Sequence, residues 1–242
     1  MNIIKVSATD STNLHLKRLI ADAPLSDYTV LVAEEQLLGR GQAGTKWVSE
    51  AGKNLTFSIL KKFDGWPVAS QYMISMATSL AIYDALTAYH IPKLAIKWPN
   101  DILSGNTKIA GILIENTLKG NFIDRSVIGV GLNVNQDSFG DLANVSSLKL
   151  LTGQPHNIDF LLESIVKQMK LVFQSFDTNE SEVIERRYHS LLYRHGLRST
   201  FELNGEFVQG TILGVTKSGK LRVRFKDGSE NAYALKEIRL HY

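Results

Sequence analysis

Cysteine is missing altogether from the 242 residues, so the chain has no disulfide framework and no thiolate site. Its six histidines are scattered, and neither His-x-x-x-His nor Glu-x-x-His spacing occurs to suggest zinc or iron. A Gly-x-Ser-x-Gly elbow for acyl hydrolysis is also lacking. No apolar run is long enough to span a bilayer, and the N-terminus has no basic flank leading into an apolar stretch, so neither membrane association nor a signal peptide is expected. The cytoplasm is the default compartment. A net charge of +3 is small, and Lys and Arg are spread along the chain rather than gathered in a stripe, which argues against DNA or RNA as partner. With 44% hydrophobic and 21% charged residues the composition is that of a globular protein, long enough for one sizeable domain and a small second one.

Against this background one stretch stands out. Residues 39–59, from Gly-Arg-Gly-Gln-Ala-Gly to Asn-Leu-Thr-Phe-Ser-Ile, concentrate glycine, cation and aromatic. Gly39, Gly41 and Gly44 let main-chain N–H groups approach a ligand; Arg40, Lys46 and Lys53 add charge, and Trp47 adds a flat face. Such a loop suits an anion carrying a ring. It also matches G-x-G-x-x-G, but a dinucleotide fingerprint requires a helix opening at the third glycine, and here a strand follows. Residues 214–221 approach a phosphate-loop pattern yet end in Leu221 between strand-like runs, which reads as a β-turn.

In chain order, a short strand over residues 2–6 precedes Asp10-Ser-Thr-Asn13, whose side-chain oxygens suit either the cap of a helix over 14–21 or a polar ligand at its N-terminus. Residues 28–34 read as a buried strand, and 54–61 as the next one, with Leu55, Phe57 and Ile59 on one face and Thr56 and Ser58 on the other. Helices are expected over 67–89, 157–176 and 181–193. Residues 94–103 place Lys97, Trp98, Pro99, Asn100 and Asp101 at the end of a strand. Gly105-Asn106 then turns into strands over 108–115 and 125–134, where Lys108 on an apolar strand calls for an anionic partner. Gly111, Gly129 and Gly131 weaken those strands unless a backbone or ligand must come close. From residue 196 onward, short alternating runs over 199–203, 206–216, 220–225 and 230–234 read as a small all-β module.

Taken together, Gly39-Arg40-Gly41, Lys46-Trp47, Gly52-Lys53-Asn54-Leu55, residues 97–101, the strand 108–115 and Ile128-Gly-Val-Gly-Leu-Asn-Val134 resemble the biotin protein ligases, in family order over most of residues 1–190. The resemblance implies an α+β fold, with a mixed central sheet packed with helices over 1–194 and a small SH3-like β-domain over 195–242. It implies an ATP-dependent ligase using Mg2+ that activates biotin to biotinyl-5'-AMP and passes it to a lysine of a biotin carboxyl carrier protein. A lipoate-type protein ligase of the same fold is the alternative. Family members that double as repressors carry a helix-turn-helix domain ahead of this region; the chain resembles the form without it. An open sheet edge leaves both monomer and homodimer as readings.

Carried over by position, Ser11, Thr12, Asn13 and Gln36 would meet the biotin head group. Arg40, Gly41, Gln42 and Lys108 would hold its carboxylate and the phosphate, with Gly111 letting the ligand lie against the sheet. Trp47, Asn100, Gly131 and Asn133 would face the nucleotide; Lys108, Arg40 and Asp101 would serve the chemistry, Asp101 also as metal ligand. The sequence departs from the family pattern at Gln42, Ala43 and Thr45, where cations are common. An amide does not reproduce the bidentate grip of a guanidinium on phosphate, so a looser hold on the adenylate is expected.

Overall fold

The computed structural model describes residues 2–174, 176 and 181–242. Seven strands form one sheet: β1 (Ile3–Thr9), β2 (Val30–Gln36), β3 (Leu55–Pro67), β4 (Leu94–Lys97), β5 (Asp101–Ser104), β6 (Thr107–Lys119) and β7 (Phe122–Leu132). Their order is β1-β2-β3-β7-β6-β5-β4. The first pair is parallel and the others antiparallel, so the sheet is mixed. Helices α1 (Thr12–Asp22), α2 (Gln71–Thr87), α3 (Leu148–Thr152), α4 (Ile158–Gln174) and α5 (Ser181–Ser190) complete this part. The helix expected over 157–176 includes Ser175, which lies outside the described residues.

Period-two alternation sorts the sheet into two faces. Leu55, Phe57 and Ile59 of β3, and Ile128, Val130 and Leu132 of β7, point into the main core, where α2, α4 and α5 pack. Being covered on several sides, α2 is buried nearly all round. The opposite face carries α1 over a small cluster of Leu16, Leu31, Leu60 and Val127. Beside α1 this face is stripped to Thr56, Ser58, Gly129, Gly131 and Gly111, none of which offers a large side chain. A floor free of bulk is thus built into the register.

The C-terminal residues form a second, five-stranded antiparallel sheet of β8 (Arg198–Leu203), β9 (Glu206–Val215), β10 (Leu221–Phe225), β11 (Glu230–Tyr233) and β12 (Ile238–His241), ordered β11-β10-β9-β8-β12. This matches the SH3-like architecture expected, with β12 added beyond the four strands read from the sequence. The whole is of the α+β class.

Candidate active site

One row of paired residues crosses the sheet: Thr56 opposite Gly131, Gly131 opposite Gly111, Gly111 opposite Asp101 and Asp101 opposite Lys97. Two adjacent glycines in neighbouring strands leave a trough, and an acid–base pair stands at its end. The trough is part of a cavity of about 430 Å³. Its lining brings together Ser11, Thr12, Asn13, Gln36, Arg40, Gly41, Gln42, Trp47, Asn100, Asp101, Lys108, Gly111 and Gly131, contributed by α1, β2, the loop after it, the turn before β5, and strands β5, β6 and β7.

At one end the side chains of α1 are fixed by the sheet. Gln36 Oε1 accepts from the Thr12 N–H at 2.9 Å and from its hydroxyl at 3.1 Å. Ser58 Oγ donates to Asn13 Oδ1 at 2.6 Å and lies 2.8 Å from Thr12 Oγ1. Asn13 donates to Leu113 O at 3.2 Å and to Glu115 Oε2 at 2.8 Å. Its amide sits where a side chain on Gly129 would stand. Ser11 occupies the N-cap position without a side-chain capping bond and lines the cavity, while Asp10 accepts from the Ser11 N–H at 2.7 Å and pairs with Arg18 outside it. Glu115 ties this corner together by accepting also from Lys17 Nζ at 2.6 Å, with Arg40 Nη1 3.9 Å away. Burial pushes the Glu115 carboxyl up, but the bonds from Lys17 and Asn13 and the nearby cations outweigh it and hold it below the ordinary range.

At the other end a bulge in β6 between the Ala110 and Lys108 pairings re-aims Lys108. Its ammonium reaches Asp101 Oδ1 at 2.6 Å, while Lys97 lies 3.4 Å from the other carboxylate oxygen. The Trp47 indole lies over the floor at the position a Cβ on Gly131 would need, with Lys108 Nζ 5.6 Å from its ring centroid. The Trp47 N–H and the Gln42 amide oxygen are buried without a hydrogen-bond partner, which marks them as groups a polar ligand would satisfy. Ala43 turns the loop at φ +56°, a conformation a residue with a Cβ adopts at a steric cost. Among the described residues, the cations lining the cavity are Arg40, Lys46, Lys97, Lys108, Lys236 and Arg239, against one carboxylate, Asp101. The space therefore favours an anion with an apolar body.

Asn133 does not line the cavity. It is buried, donating to Ser146 O at 3.0 Å with its own amide oxygen unpartnered. Asn100 lines the cavity, but its amide N–H donates to Ile112 O at 2.7 Å, so this end of the side chain closes the turn after the cis Trp98–Pro99 bond. Among the described residues no group of three His, Cys, Asp or Glu could hold a metal, and Asp101 is already engaged by two lysines. Sequence reading gave no role to Ser58 or Glu115, whose partners follow from cross-sheet register; the close approach it expected at Gly129 is made by Asn13. Lys97, expected at a strand end without an assigned role, is a wall residue, and Leu235, Lys236 and Arg239 from the C-terminal part were missed.

Among known proteins, the chain is 39% identical over 132 residues to the biotin--[acetyl-CoA-carboxylase] ligase of Paracoccus denitrificans, covering 53% of each. It is 28% identical over 213 residues to the bifunctional ligase/repressor BirA of Bacillus spizizenii, covering 85% of the chain and 64% of that protein. It thus spans about half to two thirds of the length of these curated relatives. Among solved structures, the biotin protein ligase of Aquifex aeolicus in complex with biotin and ATP superposes with a TM-score of 0.80 at 25% identity, over 99% of this chain and 98% of that one. The model of the biotin/lipoate A/B protein ligase family matches residues 6–133, more than half of the 242 residues, and the chain belongs to that family.

Proposed function

We propose that this protein is a biotin protein ligase: it activates biotin with ATP to biotinyl-5'-AMP and passes the biotinyl group to a lysine of a biotin carboxyl carrier protein. The single observation that carries this reading is the glycine-floored trough running from the Thr12, Asn13 and Gln36 corner to the Lys108–Asp101 pair. One end offers fixed hydrogen-bond partners for a neutral polar ring, the middle lies flat for an alkyl chain, and the far end supplies cations where a carboxylate meets a phosphate. Relatives named as biotin ligases, and a structural neighbour holding biotin and ATP, support the same chemistry. A lipoate-type ligase fits less well, because the polar corner suits a ring that gives and takes hydrogen bonds.

In this reading Ser11, Thr12, Asn13 and Gln36 hold the ring, with Gly111 beneath the ligand. Arg40, Gly41, Gln42 and Lys108 meet the carboxylate and α-phosphate, and Lys108 takes up the negative charge that gathers as the carboxylate oxygen attacks phosphorus. Trp47 and Gly131 flank the adenylate, with Asn100 at the nucleotide end and Asn133 acting from below. Asp101 holds Lys108 and Lys97 in place. A magnesium ion would come with the phosphates, because one carboxylate already paired to two lysines makes no resident metal site. We place the division into a catalytic part and an appended β-domain at residues 194 and 195, and the protein in the cytoplasm; pairing through the β1 edge of the sheet would give a homodimer. The test is incubation of the purified protein with ATP, magnesium, labelled biotin and a carrier domain. Labelled carrier is expected, and its absence, with lipoate transferred instead, selects the alternative.

A further inference from the structure

The loop that carries Arg40, Gln42 and Trp47 is anchored unequally at its two ends. On the β2 side it leaves on two main-chain bonds, Leu37 N–H donating to Thr9 O at 2.8 Å and Leu38 N–H to Asp10 O at 2.9 Å. Its arm then closes on itself, Gly41 N–H donating to Thr45 O at 2.7 Å and Trp47 N–H to Gly39 O at 3.0 Å. After Trp47 the hold is sparser. Apart from a local turn, Lys53 N–H to Glu50 O at 3.3 Å, the hydrogen bond that ties residues 48–51 to the body among the described residues runs from Glu50 N–H to Gln136 Oε1 at 3.1 Å. Gln136 is buried, on the segment that continues β7, the strand of Gly131. The direction of this joint is fixed from beneath. Asn54 Oδ1 accepts the Val134 N–H at 3.0 Å, which turns the Asn54 amide N–H toward Gln136. Gln136 therefore presents its oxygen, receiving both Asn54 Nδ2 and the Glu50 N–H, while its own Nε2 donates to Ser138 O at 2.6 Å.

We propose that Gln136 is a positioning residue: through the Glu50 N–H it pins the C-terminal root of the loop over residues 39–53 to the strand that carries the trough floor, and so sets how Trp47 closes over a bound adenylate. The inference rests on the ligase reading above and deepens it. Trp47 lies three residues before Glu50, and three residues of extended chain reach at most about 10 Å, so fixing Glu50 confines the indole. That ring already packs against Gly131 and Gly111 as closely as a side chain at either position would need. Releasing the root lets the ring lift from the floor, and water then reaches the acyl-phosphate anhydride. An apolar joint would bury the root without giving it a direction, whereas two interlocked amides define one geometry. Asn54 acts in the same joint by holding Gln136 the right way round. A residue that merely fills space between the loop and β7 would change stability and leave the lifetime of the adenylate alone.

The experiment uses the full chain and three variants: Gln136→Met, which keeps the volume and removes the amide, Gln136→Glu, which keeps an acceptor for Glu50 and Asn54, and Glu50→Pro, which deletes the donor at an exposed position. Trypsin digestion of the ligand-free protein reports cleavage after Arg40 and Lys46 in the loop. A chase of preformed labelled adenylate without carrier gives its release rate, and single-turnover adenylation gives the chemical rate. Gln136→Met and Glu50→Pro are expected to raise loop cleavage and adenylate release roughly tenfold, the size of one net hydrogen bond to a buried partner. Adenylation at saturating biotin and ATP should stay within about threefold, and Gln136→Glu should recover most of the loss. Unchanged loop cleavage and release in Gln136→Met overturn the proposal. So does a lower melting temperature with cleavage raised equally outside the loop and release unchanged, which assigns Gln136 to space-filling. If Gln136→Met fails to fold, Glu50→Pro decides on the same two rates. A wild-type protein that forms no adenylate refutes the parent reading, while faster loop cleavage in the variants still supports the joint.

Discussion

In the proposed reaction Lys108 would be the residue on which the chemistry turns. Its backbone is fixed on both sides, the N–H donating to Asn144 O at 2.7 Å and the carbonyl accepting from Ser146 N–H at 3.0 Å, so the side chain leaves a rigid strand. Asp101 holds the ammonium in place while leaving it close to the trough floor. Removing such a preorganised charge costs on the order of 10²–10³-fold in the chemical step. Lys108→Ala should accordingly lose adenylation by that factor in a pyrophosphate-release assay while keeping its circular dichroism spectrum; an unchanged rate would remove Lys108 from its central role. Gln42 differs in kind. Its amide oxygen is buried and unpartnered, yet the side chain brings no charge to a phosphate. The wild-type protein is expected to release some adenylate and label bystander lysines, and Gln42→Arg to reduce that labelling several-fold. Blotting a bystander protein with labelled biotin checks both; labelling confined to the carrier in the wild type would show that the amide suffices.

At the scale of elements, legibility followed length and periodicity. The strands β2, β3, β6 and β7 and the helix α2 announce themselves through long apolar runs, and the turn between β4 and β5 through Pro99. Strand β12 has four residues, Ile-Arg-Leu-His, too short for alternation to separate it from a loop, and the five-residue α3 was hidden for the same reason. The floor was half legible: glycines in strands signalled close approach, but that Gly111 pairs with Gly131 depends on a register no local pattern fixes. The joint between the two sheets was not legible at all. There His189, on α5, accepts the Val215 N–H at Nε2 across 3.0 Å, stacked against His195. Burial, with the charges of His195 and Arg222, pushes its pKa down, against Glu185, which raises it. With the folded pKa below the unfolded one, the unfolded state binds more protons as pH falls; the stabilisation is complete above about pH 6.5 and is lost as pH drops through the folded value. Thermal unfolding from pH 7.5 to 5 should show this decline, and His189→Gln, which cannot be protonated, should flatten it. Parallel slopes would place the proton elsewhere.

Over the whole molecule, the cavity and the joint share one turn. Trp98, Pro99 and Asn100 separate β4 from β5; Asn100 closes onto Ile112 beside the trough, while Trp98 Nε1 donates to Gly219 O at 2.8 Å in the C-terminal sheet. Tyr72 of α2 donates to Pro99 O at 3.1 Å and lies 3.0 Å from the hydroxyl of Tyr188, which is fully buried; burial raises both phenols well above their ordinary pKa, Tyr188 to a value that keeps it neutral. The Tyr72 ring fills the space a side chain at Gly219 would take. The two sheets are therefore bolted through α2 and α5 to the turn that carries Asn100 and Asp101, and should unfold together. Tyr72→Phe keeps the ring but leaves both Pro99 O and the Tyr188 hydroxyl without a partner, an unsatisfied burial worth about 1–3 kcal/mol. The expected result is a single, still cooperative thermal transition at lower temperature, with the KM for ATP raised because the turn beneath Lys97 and Asp101 is less firmly held. Two separate transitions in the wild-type protein would mean that the sheets fold independently, and that the C-terminal cations reach the cavity by docking rather than by being built into it.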